Sequence, residues 1–325
     1  MKGELDMNML NDRIAGALYG VAVGDALGGP LEFMSAEEIA RRYGRVTTML
    51  GGGWLNLRPG ETTDDTAMTL AVAEGIMECP ESPFQAIGAR FIEWAKSGPK
   101  DIGGTCGSSI CRATIAGGER PPFPIWSEAS QQTAKLNGNR SGGNGAIMRA
   151  IYPGLYYPLQ DDAILTSRGQ GRLTHWDKDS DEACQIYALM VHCLITEAEK
   201  LEGDPERFRK QFDEFLHHTK YNTDNLLRLG RSGGLEPSGY VVDSFKCALF
   251  CLWDSEGFAD AICNAANMGG DADTIAAICG GLAGALYGFQ AIPQEWVSAL
   301  SAHDRERLDA ATAAAVENQE KSMMC

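Results

Sequence analysis

The chain has 325 residues, 44% of them hydrophobic, with 44 acidic against 28 basic side chains and a formal net charge of −16. The length and apolar content suffice for one large core. The acidic balance argues against a binder of phosphate backbones, which needs clustered Lys and Arg.

No apolar run approaches the roughly 18–20 residues that span a bilayer, and the N-terminal MKGELDMNMLNDR is too acidic and polar for a secretory signal. The expectation is a soluble, cytoplasmic protein that is not integral to a membrane. The ten cysteines are scattered with no CxxC pair. Cys247 and Cys251, Cys263 and Cys279 lie in apolar stretches, which points to buried free thiols in a reducing compartment rather than to disulfides or zinc.

In chain order, NDRIAGALYGVAVGDALG (11–28) places Ile14, Ala17, Leu18, Val21 and Ala22 on one helical face. Its Gly16, Gly20 and Gly24 would let a second helix approach closely. VTTML (46–50) is the best strand candidate. The Gly/Pro-rich stretch 50–60 reads as a loop, followed by helices over 64–78 and 83–96, the latter with Phe84, Ile87, Phe91 and Trp94 on its apolar side. Further loops are expected at 116–125, 137–145 and 230–239. The spacing predicts helices over 181–200, 204–217, 240–253, 258–268, 273–288, 294–300 and 303–317. The fold class is therefore all-α, a single compact many-helix domain over 1–325 with 1–10 and 319–325 as candidate disordered ends. "GALYG" occurs in both 16–20 and 284–288, which suggests two close-packed central helices and not a solenoid.

Two acidic motifs stand at helix starts. GETTDDTAMTLA (60–71) holds Thr63, Asp64, Asp65 and Thr66; GGDADTIAA (269–277) holds Asp271, Asp273 and Thr274. Two readings stay open for each. Asp and Thr cap helices and favour the positive end of the helix dipole. Alternatively, if the two helix starts meet, four like charges need a counter-cation, and oxygen-only donors select Mg²⁺, Mn²⁺ or Ca²⁺. Spacing alone does not choose.

Seven segments, in order, carry a resemblance: GALYGVAVGDALGGPLEF (16–33), GGGWLNLRPGETTDDTAMTLA (51–71), WAKSGPKDIGGTC (94–106), GNGAIMRA (143–150), LTH (173–175), GYVVDS (239–244) and NMGGDADTIAAICGGLAGALYG (267–288). Together they resemble the ADP-ribosylglycohydrolase family, and the GGGWL…PG segment is similar to its nitrogenase-type subgroup. The resemblance implies an all-α fold with a dinuclear centre of two divalent cations, Mn²⁺ or Mg²⁺, and metal ligands at Thr63, Asp64, Asp65, Asp271, Asp273 and Thr274. It implies catalytic roles for Asp101 and Glu32, and substrate contacts at Gly103, Thr105, Asn144, Gly145, His175 and Tyr240. Without it, Asp101 would read as a turn residue and Glu32 as a surface carboxylate. Trp54 either anchors its loop or stacks on a substrate or partner.

The implied activity is metal-dependent hydrolysis of the N-glycosidic bond of mono-ADP-ribosylated arginine in a protein. Another ADP-ribose linkage (serine, O-acetyl-ADP-ribose, nucleic acid) or a non-catalytic ADP-ribose-binding protein is the alternative. By the same resemblance the partners are an ADP-ribosylated protein, dinitrogenase reductase for the subgroup, and a PII-type regulator; the chain is expected to be a monomer that binds no nucleic acid. Three features depart from the subgroup pattern: Asp177 and Lys178 stand where a second His and a Pro are usual, Gly103-Gly104 replaces Gly-Asn, and 119–141 is longer.

Overall fold

The computed structural model describes residues 2–201 and 203–323. They form seventeen α-helices: α1 (Lys2–Gly28), α2 (Ala36–Tyr43), α3 (Asp64–Glu78), α4 (Phe84–Lys96), α5 (Gly104–Gly117), α6 (Phe123–Leu136), α7 (Tyr152–Tyr156), α8 (Gln160–Gly171), α9 (Lys178–Thr196), α10 (Ala198–Leu201), α11 (Pro205–Leu216), α12 (Thr223–Arg231), α13 (Val241–Trp253), α14 (Phe258–Asn267), α15 (Ala272–Tyr287), α16 (Gln294–Ala299) and α17 (Ala302–Met323). The all-α expectation holds. Among the described residues the only bridges are two isolated ones, Ser35 with Gly269 and Gly52 with Leu57. Helix covers 2–10 and 319–323 of the two chain ends; residues 1, 324 and 325 lie outside the described residues.

The expected strand at 46–50 is not formed. The side-chain amide of Asn267 takes the place of a neighbouring strand: the Val46 N–H donates to Asn267 Oδ1 at 2.9 Å and Asn267 Nδ2 donates to the Val46 carbonyl at 2.8 Å. With both its backbone groups satisfied by one side chain, Val46 needs no ladder partner. Helices α2, α5, α6, α7, α8 and α12 were not foreseen from periodicity. In α5 the buried positions are Cys106, Ser109, Ile110 and Ala113; in α6 they are Trp126, Ala129, Ser130, Thr133 and Ala134. Both stripes have helical spacing, but small and hydroxyl side chains carry most of it, so the hydrophobic contrast that reveals a helix is missing.

Contrary to the expectation, one stretch reaches bilayer-spanning length and apolarity. Asn8–Leu31 is long and apolar enough to cross a bilayer by length and composition, and 94% of its most apolar window is buried inside the protein. The physical reason is its partner helix α15, which packs backbone to backbone against it.

The chain divides into two compact units, residues 1–62 with 193–306 and residues 63–192 with 307–325, the boundaries falling just before α3 and inside α9 and α17. The first unit is organised by α1 and α15, where every residue of α15 from Ala272 to Leu286 is buried. The two helices run antiparallel, backbone against backbone. A Cβ on Gly16, Gly20, Gly24 or Gly28 would overlap the carbonyl oxygen of Gly284, Gly280, Ala276 or Ala272, respectively. One small residue per turn for four turns fixes both separation and register, as the spacing of Gly16, Gly20 and Gly24 predicts. Buried Arg13 closes one end, donating to the carbonyls of Ala285 and Leu286 at 2.8 Å each, where α15 has run out of backbone partners.

In the second unit α3 packs on α4, and α5 on α6. A Cβ on Gly75 would lie 2.5 Å from the Ile87 backbone nitrogen, and Gly88 makes room for the indole of fully buried Trp126. The nine described cysteines are free thiols. Cys247, Cys251, Cys263 and Cys279 are buried as expected, whereas Cys79 and Cys111 are exposed.

Candidate functional site

The antiparallel register of α1 on α15 has a chemical consequence. It carries the end of α1 and the 3₁₀ turn Gly29–Leu31 to the beginning of α15, so Glu32 arrives beside the GGDADT motif. Backbone bonds lock the two loops together: the Phe33 N–H donates to the Gly270 carbonyl at 2.7 Å, and the Gly270 N–H to the Met34 carbonyl at 2.8 Å. Gly269 and Gly270 have φ of 72° and 62°, and a Cβ on them would overlap the carbonyl oxygens of Met34 and Pro237, respectively. Both the conformation and the close approach demand glycine.

As a result, carboxylate oxygens of Glu32, Asp271 and Asp273 lie within 4.8 Å of one another. Asp25, fully buried on α1, also brings a carboxylate oxygen within 4.8 Å of Asp273. Like charges this close in a buried setting raise one another's free energy, and a cation or a proton relieves it. Asp271 occupies the N-cap of α15 and Thr63 that of α3, yet neither side chain makes a capping hydrogen bond. Capping therefore does not account for either cap position. An all-oxygen donor set that gathers like charge fits hard divalent cations, with Asp273 Oδ1 also accepting the Thr274 N–H at 2.8 Å in the first turn of α15.

Glu32 is held from its other side. The Trp54 indole Nε1–H donates to Glu32 Oε2 at 2.5 Å, and the Trp54 and Phe33 rings lie 5.4 Å apart, 51% and 68% exposed. The Trp54 loop is a small hairpin closed by paired backbone bonds between Gly52 and Leu57 at 2.7 and 2.8 Å. Trp54 thus anchors a carboxylate while leaving aromatic surface open. Tyr240, at the N-cap of α13, is 40% exposed, and neighbouring Gly239 leaves room for Asp271 Oδ2, which a Cβ would approach to 2.9 Å.

In the second unit, Asp64 and Asp65 open α3. Asp65 is buried, with Thr63 Oγ1 3.5 Å from its Oδ2. Asp101 is half-buried in the coil before α5. Gly103 is the N-cap of α5, with Thr105 in its first turn, and no atom lies within 4 Å of a Cβ built on Gly103 or Gly104. Neither glycine is sterically required, so the departure at Gly104 is one that the backbone tolerates. Asp177, in place of the second His, has a positional role: its Oδ1 accepts the backbone N–H groups of Asp179 and Ser180 at 2.8 and 3.3 Å and caps the start of α9. The longer segment 119–141 is largely helix α6.

Asn144 opens a 3₁₀ turn, Asn144–Ala146, and is buried; Gly145 lies against Cys106 and His175, whose Sγ and Cε1 are each 3.1 Å from the place of a Cβ. His175 is 2% exposed, and burial, reinforced by the charge of Arg149, pushes its pKa down to about 3. It is a neutral imidazole at any physiological pH. Beneath the turn sits Arg149, fully buried, donating to the Gly145 carbonyl at 2.5 Å.

Two of these residues escaped the sequence reading. Asp25 lies inside the quoted GALYGVAVGDALG, and Arg149 inside GNGAIMRA. The available signal was a lone charge inside a Gly/Ala-rich apolar run, where an ionised side chain has no reason to be unless it is used.

The family model described as ADP-ribosylglycohydrolase matches residues 6–323. An ADP-ribosyl-[dinitrogen reductase] glycohydrolase of Rhodospirillum rubrum is 37% identical over 295 residues, covering 90% of this chain and 91% of the relative. The ADP-ribosylarginine hydrolase Tri1 of Pseudomonas putida is 32% identical over 291 residues, 88% of this chain and 73% of the relative. A solved structure described as an ADP-ribosylglycohydrolase-related protein complex superposes with a TM-score of 0.75 at 28% identity, over 96% of this chain and 99% of the other.

Proposed function

The chain belongs to the ADP-ribosylglycohydrolase family, and on that premise we propose that it is an enzyme removing ADP-ribose from mono-ADP-ribosylated arginine in a protein. The observation that carries the reading is the convergence of Glu32, Asp271 and Asp273 on motifs shared with a family of that activity. The arginine linkage is supported by likeness to relatives named for dinitrogen reductase and for ADP-ribosylarginine. Dinitrogenase reductase is the target we propose, with the enzyme acting as a cytoplasmic monomer.

Thr63, Asp64, Asp65, Asp271, Asp273 and Thr274 are the proposed donors to two divalent cations, Mn²⁺ or Mg²⁺, with Asp25 added to the set. When bound, the cations would supply Lewis acidity and orientation at the ribose hydroxyls. The bond from ribose C1 to the arginine nitrogen breaks through an oxocarbenium-like state, and a water oxygen bonds to C1. Asp101, with Glu32, takes the proton from that water and returns one to the leaving guanidine nitrogen. Trp54 Nε1–H keeps Glu32 oriented. Gly103, Thr105, Asn144, Gly145, His175 and Tyr240 are the proposed substrate contacts, and backbone N–H groups of the Gly-rich turn suit a diphosphate.

The test is release of ADP-ribose from a mono-ADP-ribosyl-arginine protein, with Mn²⁺ and with chelator, beside a serine-linked conjugate. Metal-dependent release from arginine is expected. Release from serine alone would move the linkage, and calorimetric Mn²⁺ binding without any release would make the chain a binder.

A further inference from the structure

Arg149 is a cation with no accessible surface, and the acceptors it reaches are uncharged. Its Nε donates to Gln170 Oε1 at 2.8 Å, one terminal nitrogen to the Gly145 carbonyl at 2.5 Å, and the other to Thr174 Oγ1 at 2.7 Å and the Gln170 carbonyl at 3.3 Å. Its guanidinium lies over the Phe91 ring, 4.5 Å from the centroid. A lone buried cation is costly, and an apolar side chain of similar size would fill the space more cheaply. The charge and its donors therefore call for a use beyond packing.

Hydrogen-bond direction supplies one. A guanidinium donates only, so Thr174 Oγ1 must accept from it. The hydroxyl has one hydrogen left to give. His175 Nδ1 is 2.8 Å from Oγ1, whereas Cys106 Sγ, 4.0 Å away, donates weakly to that oxygen and leaves its hydrogen free for the imidazole. Donation to Nδ1 makes that nitrogen an acceptor, and the single proton of the neutral ring then resides on Nε2. The Nε2–Cε1 edge is the one that faces the Gly-rich turn, with Nε2 3.4 Å from the place of a Cβ on Gly145.

We propose that Arg149 is a positioning residue, and that the relay Arg149–Thr174–His175 presents the His175 Nε2–H as a fixed, uncharged donor to an oxygen of the ADP-ribosyl group at the Asn144–Gly145 turn. The same guanidinium holds the Gly145 carbonyl inward and so sets the turn against which the donor works. The inference rests on the reading that this turn receives the ADP-ribosyl group. Because burial keeps the imidazole neutral, the donor does not change state with pH across the working range.

The experiment uses the ¹⁵N-labelled full chain. Two-bond ¹H–¹⁵N correlations read the tautomer of each neutral imidazole, and His175→Gln identifies the His175 signals among the five histidines. The wild type is expected to show the Nε2–H pattern. Thr174→Val removes the relay oxygen: the single tautomer is lost, and KM for a mono-ADP-ribosyl-arginine protein rises by about tenfold with kcat within about twofold, the scale of one hydrogen bond. Thr174→Ser restores both. An Nδ1–H pattern in the wild type overturns the proposal, as does a Thr174→Val protein with altered tautomer and unchanged KM, or equal KM defects in the Ser and Val variants. Arg149→Met is expected to follow Thr174→Val if it folds. If the wild type releases no ADP-ribose, the proposed reaction fails separately, and calorimetric affinities for free ADP-ribose in the same variants carry the test.

Discussion

The two units handle buried charge in opposite ways. Around Asp273 the first unit gathers carboxylates of Asp25, Glu32 and Asp271, all of one sign. Around Arg149 the second unit surrounds one cation with carbonyl, amide and hydroxyl oxygens. In the first case each charge raises the cost of the others, and a cation would lower it further than internal donors such as Trp54 Nε1–H and the Thr274 N–H do. In the second the hydrogen bonds are internal, and nothing needs to be added. The difference separates a site built to be loaded from a scaffold built to stay fixed, and it predicts unlike responses to substitution.

The largest effect is expected at the carboxylates. Asp273→Asn should weaken Mn²⁺ binding in calorimetry and lower ADP-ribose release by about 10³-fold, the scale of several kcal/mol supplied by a metal centre. The melting temperature without metal should hold or rise, because one like charge has been removed. A fall in stability would show that the internal hydrogen bonds of Asp273 outweigh its repulsion from Asp25, Glu32 and Asp271.

Next comes the packing that aligns the cluster. Gly20→Ala places a methyl against the Gly280 carbonyl. It should cost about 1–3 kcal/mol in urea unfolding and weaken Mn²⁺ binding as well. Lost stability with unchanged metal affinity would separate register from site.

On the cationic side, the response is to pH. His175 has a folded pKa depressed to about 3 by burial, then by Arg149. Above the unfolded value near 6.5 both states are neutral and the stability is fully present. As pH falls below that, the unfolded chain takes the proton first, and stability is lost progressively down to about 3. His175→Gln should flatten that acid limb of the melting curve, and an unchanged limb would remove His175 from the account.

The smallest effect is Trp54→Phe, which keeps the exposed ring and deletes the N–H to Glu32. Less than about a tenfold loss in kcat/KM is expected, with the Mn²⁺ dependence retained.

Much of the molecule was legible in its sequence. The boundaries of α3 follow from Thr63 at its start and the apolar run behind it, and the small-residue spacing of 16–24 foretold the close approach of α1 and α15. Helices α5 and α6 were illegible because Ser, Thr, Cys and Ala line their buried faces. Residues 46–50 misled because Val46, at the head of a strand-like composition, finds its backbone partner in the side chain of Asn267. The apolar length of Asn8–Leu31 shows the same limit from the other side, since burial by a partner helix is not a property of the stretch itself.

By itself the sequence determined the helical class, the acidic motifs at two helix starts and the family, because propensity, periodicity and motif order are local or linear properties. Only the tertiary structure decided that Asp25 joins Asp273, and that Arg149 reaches Thr174 beside His175. The first depends on the antiparallel register of helices from opposite ends of the chain, set where glycine lets backbone meet backbone. The second depends on which acceptors a buried guanidinium finds within reach, and that is a fact of packing rather than of order along the chain.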